Sequence, residues 1–179
     1  MQIRRLEPGD DAAAAGRIVQ AAYFALPGYP HDDTYDEMLG AVGERAAHAD
    51  VVVAVIDGSL VGCLTFVPGA GNPHYDFRDP DAASFRYFGV DPSGQGRGVG
   101  ESMVQWCADE ARSLGRARVR IHTLEAMHAA QRLYARMGFE RTPELDEDWD
   151  GITGLAFVLE LSSRAHVPTS SLHAATAQH

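Results

Sequence analysis

The chain has 179 residues, with 15 Lys and Arg against 25 Asp and Glu, and therefore a formal net charge of −10. Its length suits one domain, and 45% hydrophobic residues with a mean hydropathy of −0.20 are typical of a globular protein. We expect no membrane span and no secretory signal, because long apolar runs are missing, and this acidity disfavours nucleic-acid binding.

The first third of the chain has patterns typical of one strand and two helices. Residues 2–7 alternate weakly in polarity and predict the strand, and Asp10 or Asp11 can cap the Ala-rich helix that follows. Thr34 begins a segment with the spacing of a capping box, which predicts a second helix over residues 34–48.

The spacing of the apolar residues then changes from one typical of helices to one typical of strands. Residues 50–56 and 60–67 are rich in Val, Ile and Leu and are joined by Asp57-Gly58, which predicts a β-hairpin. Residues 84–90 predict one more strand, and a glycine-rich turn follows it.

Helices and strands alternate in the rest of the chain, which predicts a mixed α/β fold around one central sheet. The predicted elements are helices over residues 98–114 and 127–137 and strands over residues 119–124, 139–145 and 155–161. We expect one domain over residues 1–161 and a flexible, polar C-terminal tail over residues 162–179.

The cysteines and histidines do not predict a metal site. Cys63 and Cys107 lie far apart in apolar segments, and the histidines lack the close spacing of paired ligands. We therefore expect buried, reduced thiols, no metal and a cytoplasmic location.

The turn from Gly94 to Gly100 lies between a predicted strand and a predicted helix. It fits neither the dinucleotide motif Gly-x-Gly-x-x-Gly in any register nor a Walker loop, since no Gly-Lys-Ser/Thr follows. Alternating glycines instead let successive amides converge on one anion at a helix N-terminus, where Arg97 adds positive charge. That chemistry suits a pyrophosphate, and a flexible turn before a core helix is the alternative.

Two segments resemble motifs of the GCN5-related N-acetyltransferase (GNAT) family. Gln95-Gly96-Arg97-Gly98-Val99-Gly100 resembles its Gln/Arg-x-x-Gly-x-Gly/Ala acyl-CoA loop, and the segment from Ala129 to Phe139 is similar to its A-x-x-L-Y-x-x-x-G-F segment. The resemblance implies a mostly antiparallel sheet flanked by helices. It also implies transfer of an acetyl group from acetyl-CoA to an amine by direct attack in a ternary complex.

The resemblance further implies roles for individual residues. The pantetheine arm of acetyl-CoA would pair with the strand at Phe88, Gly89 and Val90, and Gly89 would let that strand bulge. Tyr134 would protonate the departing thiolate, and Ala130 would leave room for the cofactor. The full implied cofactor set is Phe88, Gly89, Val90, Gln95, Gly96, Arg97, Gly98, Val99, Gly100 and Ala130.

The general base is not fixed by the motifs. Family members often have Asn seven residues before the tyrosine, where this chain has Met127. The strand over residues 85–90 carries no carboxylate, so Glu125 and His122 at the end of the next strand are the candidates.

The resemblance places acidic and aromatic residues near the acceptor site, where they would favour a cationic amine. The acidic clusters lie within residues 32–37 and 144–150, and solubilising charge on exposed loops is the alternative interpretation. The aromatic and histidine candidates are Tyr23, Phe24, Tyr29, His31, Tyr35 and Trp149. The acceptor is either a small molecule or a protein amine, and a homodimer through exposed strands is compatible with the pattern.

Two other functions stay open at this level. An acyl-CoA-binding sensor or interaction module without catalysis is suggested by Met127 and by the missing base. A nucleotide-binding domain is disfavoured by the failed phosphate motifs.

Overall fold

The computed structural model describes residues 1–161, and the expected C-terminal tail lies outside the described residues. The strands are β1 (Gln2–Arg5), β2 (Asp50–Ile56), β3 (Ser59–Val67), β4 (Ala82–Val90), β5 (Arg118–Leu124), β6 (Glu140–Arg141), β7 (Glu147–Trp149) and β8 (Ile152–Glu160). The helices are α1 (Ala12–Phe24), α2 (Asp33–Gly40), α3 (Val42–Arg45), α4 (Val99–Ser113) and α5 (His128–Arg136).

The strands form one sheet in the order β1-β2-β3-β4-β5-β8-β6, with β7 paired to β8. Every neighbouring pair is antiparallel except β4 and β5, which run parallel. The predicted mixed, mostly antiparallel sheet flanked by helices is confirmed. Within residues 1–161, no helix is long and apolar enough to cross a membrane.

The alternating residues of β2 show how the sheet builds two cores. Val51 and Val53 pack with Val19 of α1 on one face, whereas Val52 and Ala54 pack with Met103 of α4 on the other. All of these side chains are buried. Because successive side chains of a strand point to opposite faces, one apolar strand contributes side chains to the cores beneath both helical layers.

The second predicted helix is divided in the structure. Asp32, not Thr34, caps α2, since its carboxylate accepts a hydrogen bond from the Tyr35 amide at 2.8 Å. The helix ends at Gly40, and Ala41, with a ψ of 51°, separates it from α3. The prediction of one helix over residues 34–48 is therefore wrong in its cap, its continuity and its end, although its start is within one residue.

The predicted strand over residues 139–145 is also shorter in the structure. β6 ends at Arg141 because Pro143 begins a 3₁₀ turn, and proline cannot donate to a strand ladder. β7 then forms a hairpin with β8 through Asp150 and Gly151, which both have positive φ. An Asp-Gly turn of this kind is visible in the sequence and would have predicted the hairpin.

Candidate active site

The site begins where the sheet opens between β4 and β5. These strands pair only at their first residues, Ala82 with Arg118 and Ala83 with Val119. Beyond those pairs the two strands have no shared hydrogen bonds, although each continues for several residues. The opening therefore presents strand backbone that a ligand can reach.

A β-bulge bends β4 next to this opening. Gly89 pairs with Cys63 and Arg86 pairs with Thr65, so Tyr87 and Phe88 both lie opposite one residue of β3. Tyr87 has a φ of 53°, in the left-handed region. The bulge was predicted at Gly89, and this position is wrong because Gly89 itself keeps its place in the ladder.

The side chain of Arg45 supports the bulge from beneath the sheet. Its guanidinium carbon lies 4.6 Å from the ring centroid of Tyr87, and the residue is only 3% exposed. The guanidinium donates to the carbonyls of Met38 and Leu39 and to the Thr65 hydroxyl. Carbonyl dipoles and an aromatic face thus surround this buried cation, and burial lowers the pKa of Arg45.

The glycine-loop cavity, of about 780 Å³, lies between α1, the glycine-rich turn and α5. Nine of the ten predicted cofactor residues line it: Phe88, Gly89, Val90, Gln95, Gly96, Gly98, Val99, Gly100 and Ala130. Arg97 is exposed and does not line this cavity. Arg136 of α5 does line it, and the sequence motifs gave no signal for this cation.

The N-terminus of α4 opens into the glycine-loop cavity. Gly98 precedes the helix with a φ of 73°, and the amide of Ser102 makes the hydrogen bond back to the Gly98 carbonyl. The amides of the first turn before Ser102 have no helical acceptor. Such a terminus binds anions through amides and the helix dipole, here with Glu101 as an opposing charge in the lining.

The tyrosine cavity, of about 540 Å³, lies on the other side of the opening. Tyr134 lines it and is only 4% exposed, with its ring packed against Phe85, Phe139 and Phe157 at centroid distances of 5.4–6.0 Å. Burial raises the pKa of Tyr134 well above its ordinary value. Its phenol therefore stays protonated at neutral pH and can serve as a proton donor.

The two cavities meet at three residues, because Phe88, Met127 and Ala130 line both. Met127 precedes α5 without capping it, and its sulfur accepts a hydrogen bond from the Thr123 hydroxyl at 3.4 Å. Ala130 is the smallest side chain at this junction. An elongated molecule in the glycine-loop cavity can therefore reach the tyrosine cavity at this point.

His122, one predicted base, lines the tyrosine cavity but has both ring nitrogens engaged. Nε2 lies 2.9 Å from the Leu145 carbonyl oxygen, and Nδ1 lies 3.2 Å from a carboxylate oxygen of Asp76. Burial lowers its pKa, but the hydrogen bonds to Asp76 and Leu145 outweigh burial and raise it. Because both partners accept hydrogen bonds, this geometry favours the imidazolium, which cannot accept another proton. Glu125, the other candidate, is exposed and lines neither cavity.

Only part of the two acidic clusters reaches the tyrosine cavity. Asp32 and Asp150 line it, and Asp76, from outside both clusters, does so as well. Of the predicted aromatic and histidine candidates, the cavity lining includes Tyr23, Tyr29, His31, Tyr35 and Trp149, but not Phe24. Within residues 1–161, no group of three His, Cys, Asp or Glu side chains could hold a metal ion.

A curated relative and a family profile match this chain. The Acetyltransferase (GNAT) family profile matches residues 16–139. Streptothricin acetyltransferase of Streptomyces lavendulae is 29% identical over 111 residues, which are 62% of this chain and 54% of the relative. The matched region thus spans about half the length of that relative.

Two solved structures illustrate the likeness in fold. The yncA protein of Salmonella typhimurium, solved with its cofactor acetyl-CoA, aligns with a TM-score of 0.64 and 22% identity over 92% of this chain and 95% of its own. A GCN5-related N-acetyltransferase from Kribbella flavida aligns with a TM-score of 0.65 and 23% identity over 89% of this chain and 97% of its own. The family profile covers well over half of the chain, which therefore belongs to the Acetyltransferase (GNAT) family.

Proposed function

We propose that this protein transfers an acetyl group from acetyl-CoA to the primary amine of a cationic small molecule, by direct attack in a ternary complex in the cytoplasm. The observation that carries this proposal is the junction at Phe88, Met127 and Ala130, which joins an anion-binding cavity to one that contains a buried phenol. Two substrates can thus meet without sharing one cavity.

The glycine-loop cavity fits the parts of acetyl-CoA. The free amides at the start of α4 would bind the pyrophosphate, with Arg136 of α5 adding positive charge to the same lining. The pantetheine arm would lie along β4 at Phe88, Gly89 and Val90, where the neighbouring strand has separated. This placement brings the thioester to the junction of the two cavities.

The reaction needs three groups at that junction. The neutral amine attacks the thioester carbonyl, a C–N bond forms, and a β4 amide beside the bulge stabilises the negative oxygen. The C–S bond then breaks as Tyr134 gives its proton to the departing sulfur. The proton lost by the nitrogen of the adduct restores the phenol, so the products are the acetylated amine and CoA.

The cavity lining supports a cationic, partly apolar acceptor. Asp32 and Asp150 line the tyrosine cavity together with the aromatic side chains of Tyr29, Tyr35 and Trp149, which are side chains that can contact a cation. The cation in the same lining, Arg86, lies 3.8 Å from a carboxylate oxygen of Asp76. The name of the relative from Streptomyces lavendulae gives a small-molecule acceptor for that protein, streptothricin. That acceptor favours a small molecule over a protein lysine for this chain too.

Binding and turnover should be measured separately. Acetyl-CoA at 100 times its Kd should raise the melting temperature by about 5–10 °C. Thiol release should then be followed with streptothricin, spermidine, L-lysine, phenethylamine and O-benzylhydroxylamine as acceptors. Cys63 and Cys107 are buried, so the folded protein adds little thiol background.

Each outcome bears on a different part of the proposal. A melting temperature that acetyl-CoA leaves unchanged would overturn the cofactor assignment. A thermal shift without thiol release from any of the five amines would favour the sensor module instead. A higher kcat/KM with L-lysine or spermidine than with the neutral O-benzylhydroxylamine would support a cationic acceptor.

A further inference from the structure

We infer that His31, oriented by Asp36, is the general base that deprotonates the amine acceptor, an assignment that rests on the proposed function. His31 lines the tyrosine cavity, and its Nδ1 lies 2.8 Å from one carboxylate oxygen of Asp36. The Tyr29 hydroxyl donates to the other oxygen of Asp36 at 2.9 Å. A carboxylate that holds Nδ1–H leaves Nε2 as the basic nitrogen.

Packing also fixes the orientation of the His31 ring. It meets Phe24 edge-on at a centroid distance of 4.8 Å and Tyr29 at 5.1 Å. The described residues place no hydrogen-bond partner at Nε2. The ring is therefore held on three sides and open at the nitrogen that would accept a proton.

The other titratable groups of this cavity are worse placed for that task. His122 has both nitrogens engaged. Burial raises the pKa of Asp76, but the hydrogen bond from His122 and the charge of Arg86 outweigh burial and keep that pKa below its ordinary value. Asp32 already accepts the helix-capping hydrogen bond from the Tyr35 amide. His31 is the described cavity residue that combines an oriented imidazole with an acceptor nitrogen that has no hydrogen-bond partner among the described residues.

The proton balance follows from this placement. The acceptor arrives as an ammonium ion and gives one proton to Nε2 of His31, and the neutral amine then attacks the thioester. The imidazolium that forms is stabilised by Asp36, with Tyr29 and Asp32 the other titratable groups nearby. Because the His31 side chain is 59% exposed, its proton can pass to water before the next turnover.

Two probe amines of similar size separate base catalysis from binding. Phenethylamine is protonated at neutral pH and needs a base, whereas O-benzylhydroxylamine is already neutral. His31→Gln should lower kcat/KM for phenethylamine about 100-fold and for O-benzylhydroxylamine by less than about 3-fold. Asp36→Asn, which loses the orienting carboxylate, should act in the same direction by about 10-fold, and Asp33→Asn on the same helix turn is the matched control.

The measurements on His31→Gln distinguish a failure of the His31 assignment from a failure of the proposed function. Unchanged acetyl-CoA binding and melting temperature in His31→Gln would show that the variant is folded. Equal loss with both amines would overturn the role of His31 as base while leaving acetyl transfer intact. A wild-type protein that acetylates neither probe nor any amine of the panel would overturn the proposed function and this inference together.

Discussion

Gly89 of β4 lies against the backbone of Ile18 in α1, with no room for a side chain between them. A β-carbon at Gly89 would lie 2.8 Å from the Ile18 carbonyl oxygen and 2.9 Å from Cα of Val19. These are backbone atoms on the buried face of α1, which cannot move aside as the end of a flexible side chain could. The glycine therefore sets the distance between α1 and the strand that lines both cavities.

Gly89→Ala should destabilise the protein by about 2–3 kcal/mol, because the added methyl must push α1 away from β4. Urea unfolding would measure this change. Gly9→Ala is the control, since nothing lies within 4 Å of a β-carbon there, and it should change stability by less than about 0.5 kcal/mol. Equal stability of the two variants would contradict this account of Gly89.

Tyr134→Phe should lower kcat about 100-fold while changing the Kd of acetyl-CoA by less than about twofold. The phenyl ring keeps the contacts with Phe85, Phe139 and Phe157, and only the proton donor is lost. Isothermal titration and steady-state kinetics would measure the two quantities. A parallel loss of affinity and turnover would argue for a structural role instead.

Gly98→Ala should weaken acetyl-CoA binding about 10-fold, because its positive φ shapes the amide cradle at the start of α4. Gly115→Ala is a matched control at the other end of that helix, with a φ of 70° and equally open surroundings. Both variants should lose about 1 kcal/mol of stability from backbone strain. Only Gly98→Ala should change cofactor affinity, and equal affinity in the two variants would contradict the proposed cradle.

The His122–Asp76 contact should make stability fall as the pH rises above neutrality. Folding raises the pKa of His122. The contribution of this residue to stability is therefore complete below the ordinary histidine pKa of about 6.5, and it is lost as the pH rises through the raised pKa. The lowered pKa of Asp76 adds stability that is lost only in acid. Urea unfolding between pH 6 and pH 9 should show a smaller decline in His122→Gln than in wild type or in the exposed His48→Gln control.

Much of the sheet could be predicted because the apolar runs and turn residues that define its strands are neighbours in the sequence. The bounds of β2 match residue for residue, since its run of Val, Ala and Ile ends at an Asp-Gly turn. α4 is also within one residue at each end, with glycines on both sides. Where turn residues and hydrophobic periodicity agree, few other secondary structures are compatible with the sequence.

The errors lie where distant residues decide the outcome. Nothing local marks Tyr87 for a left-handed backbone, and the cation that supports it, Arg45, lies on a helix far away in sequence. The pairing of His122 with Asp76 likewise joins β5 to the loop before β4. Asp36 and His31 are close in sequence, but the functional role proposed for their contact depends on a cavity that forms only in the folded chain.

The separation of β4 from β5 divides the sheet into two half-sheets, which are joined through only the Ala82–Arg118 and Ala83–Val119 pairs. Amides of β4 and β5 that point into the gap lack a cross-strand partner, so they should exchange hydrogen with solvent faster than those bonded to β3 or β8. The pantetheine arm, placed in the gap as proposed, would take the position of the missing cross-strand bonds. Acetyl-CoA bound as proposed would then also be a brace between the two half-sheets.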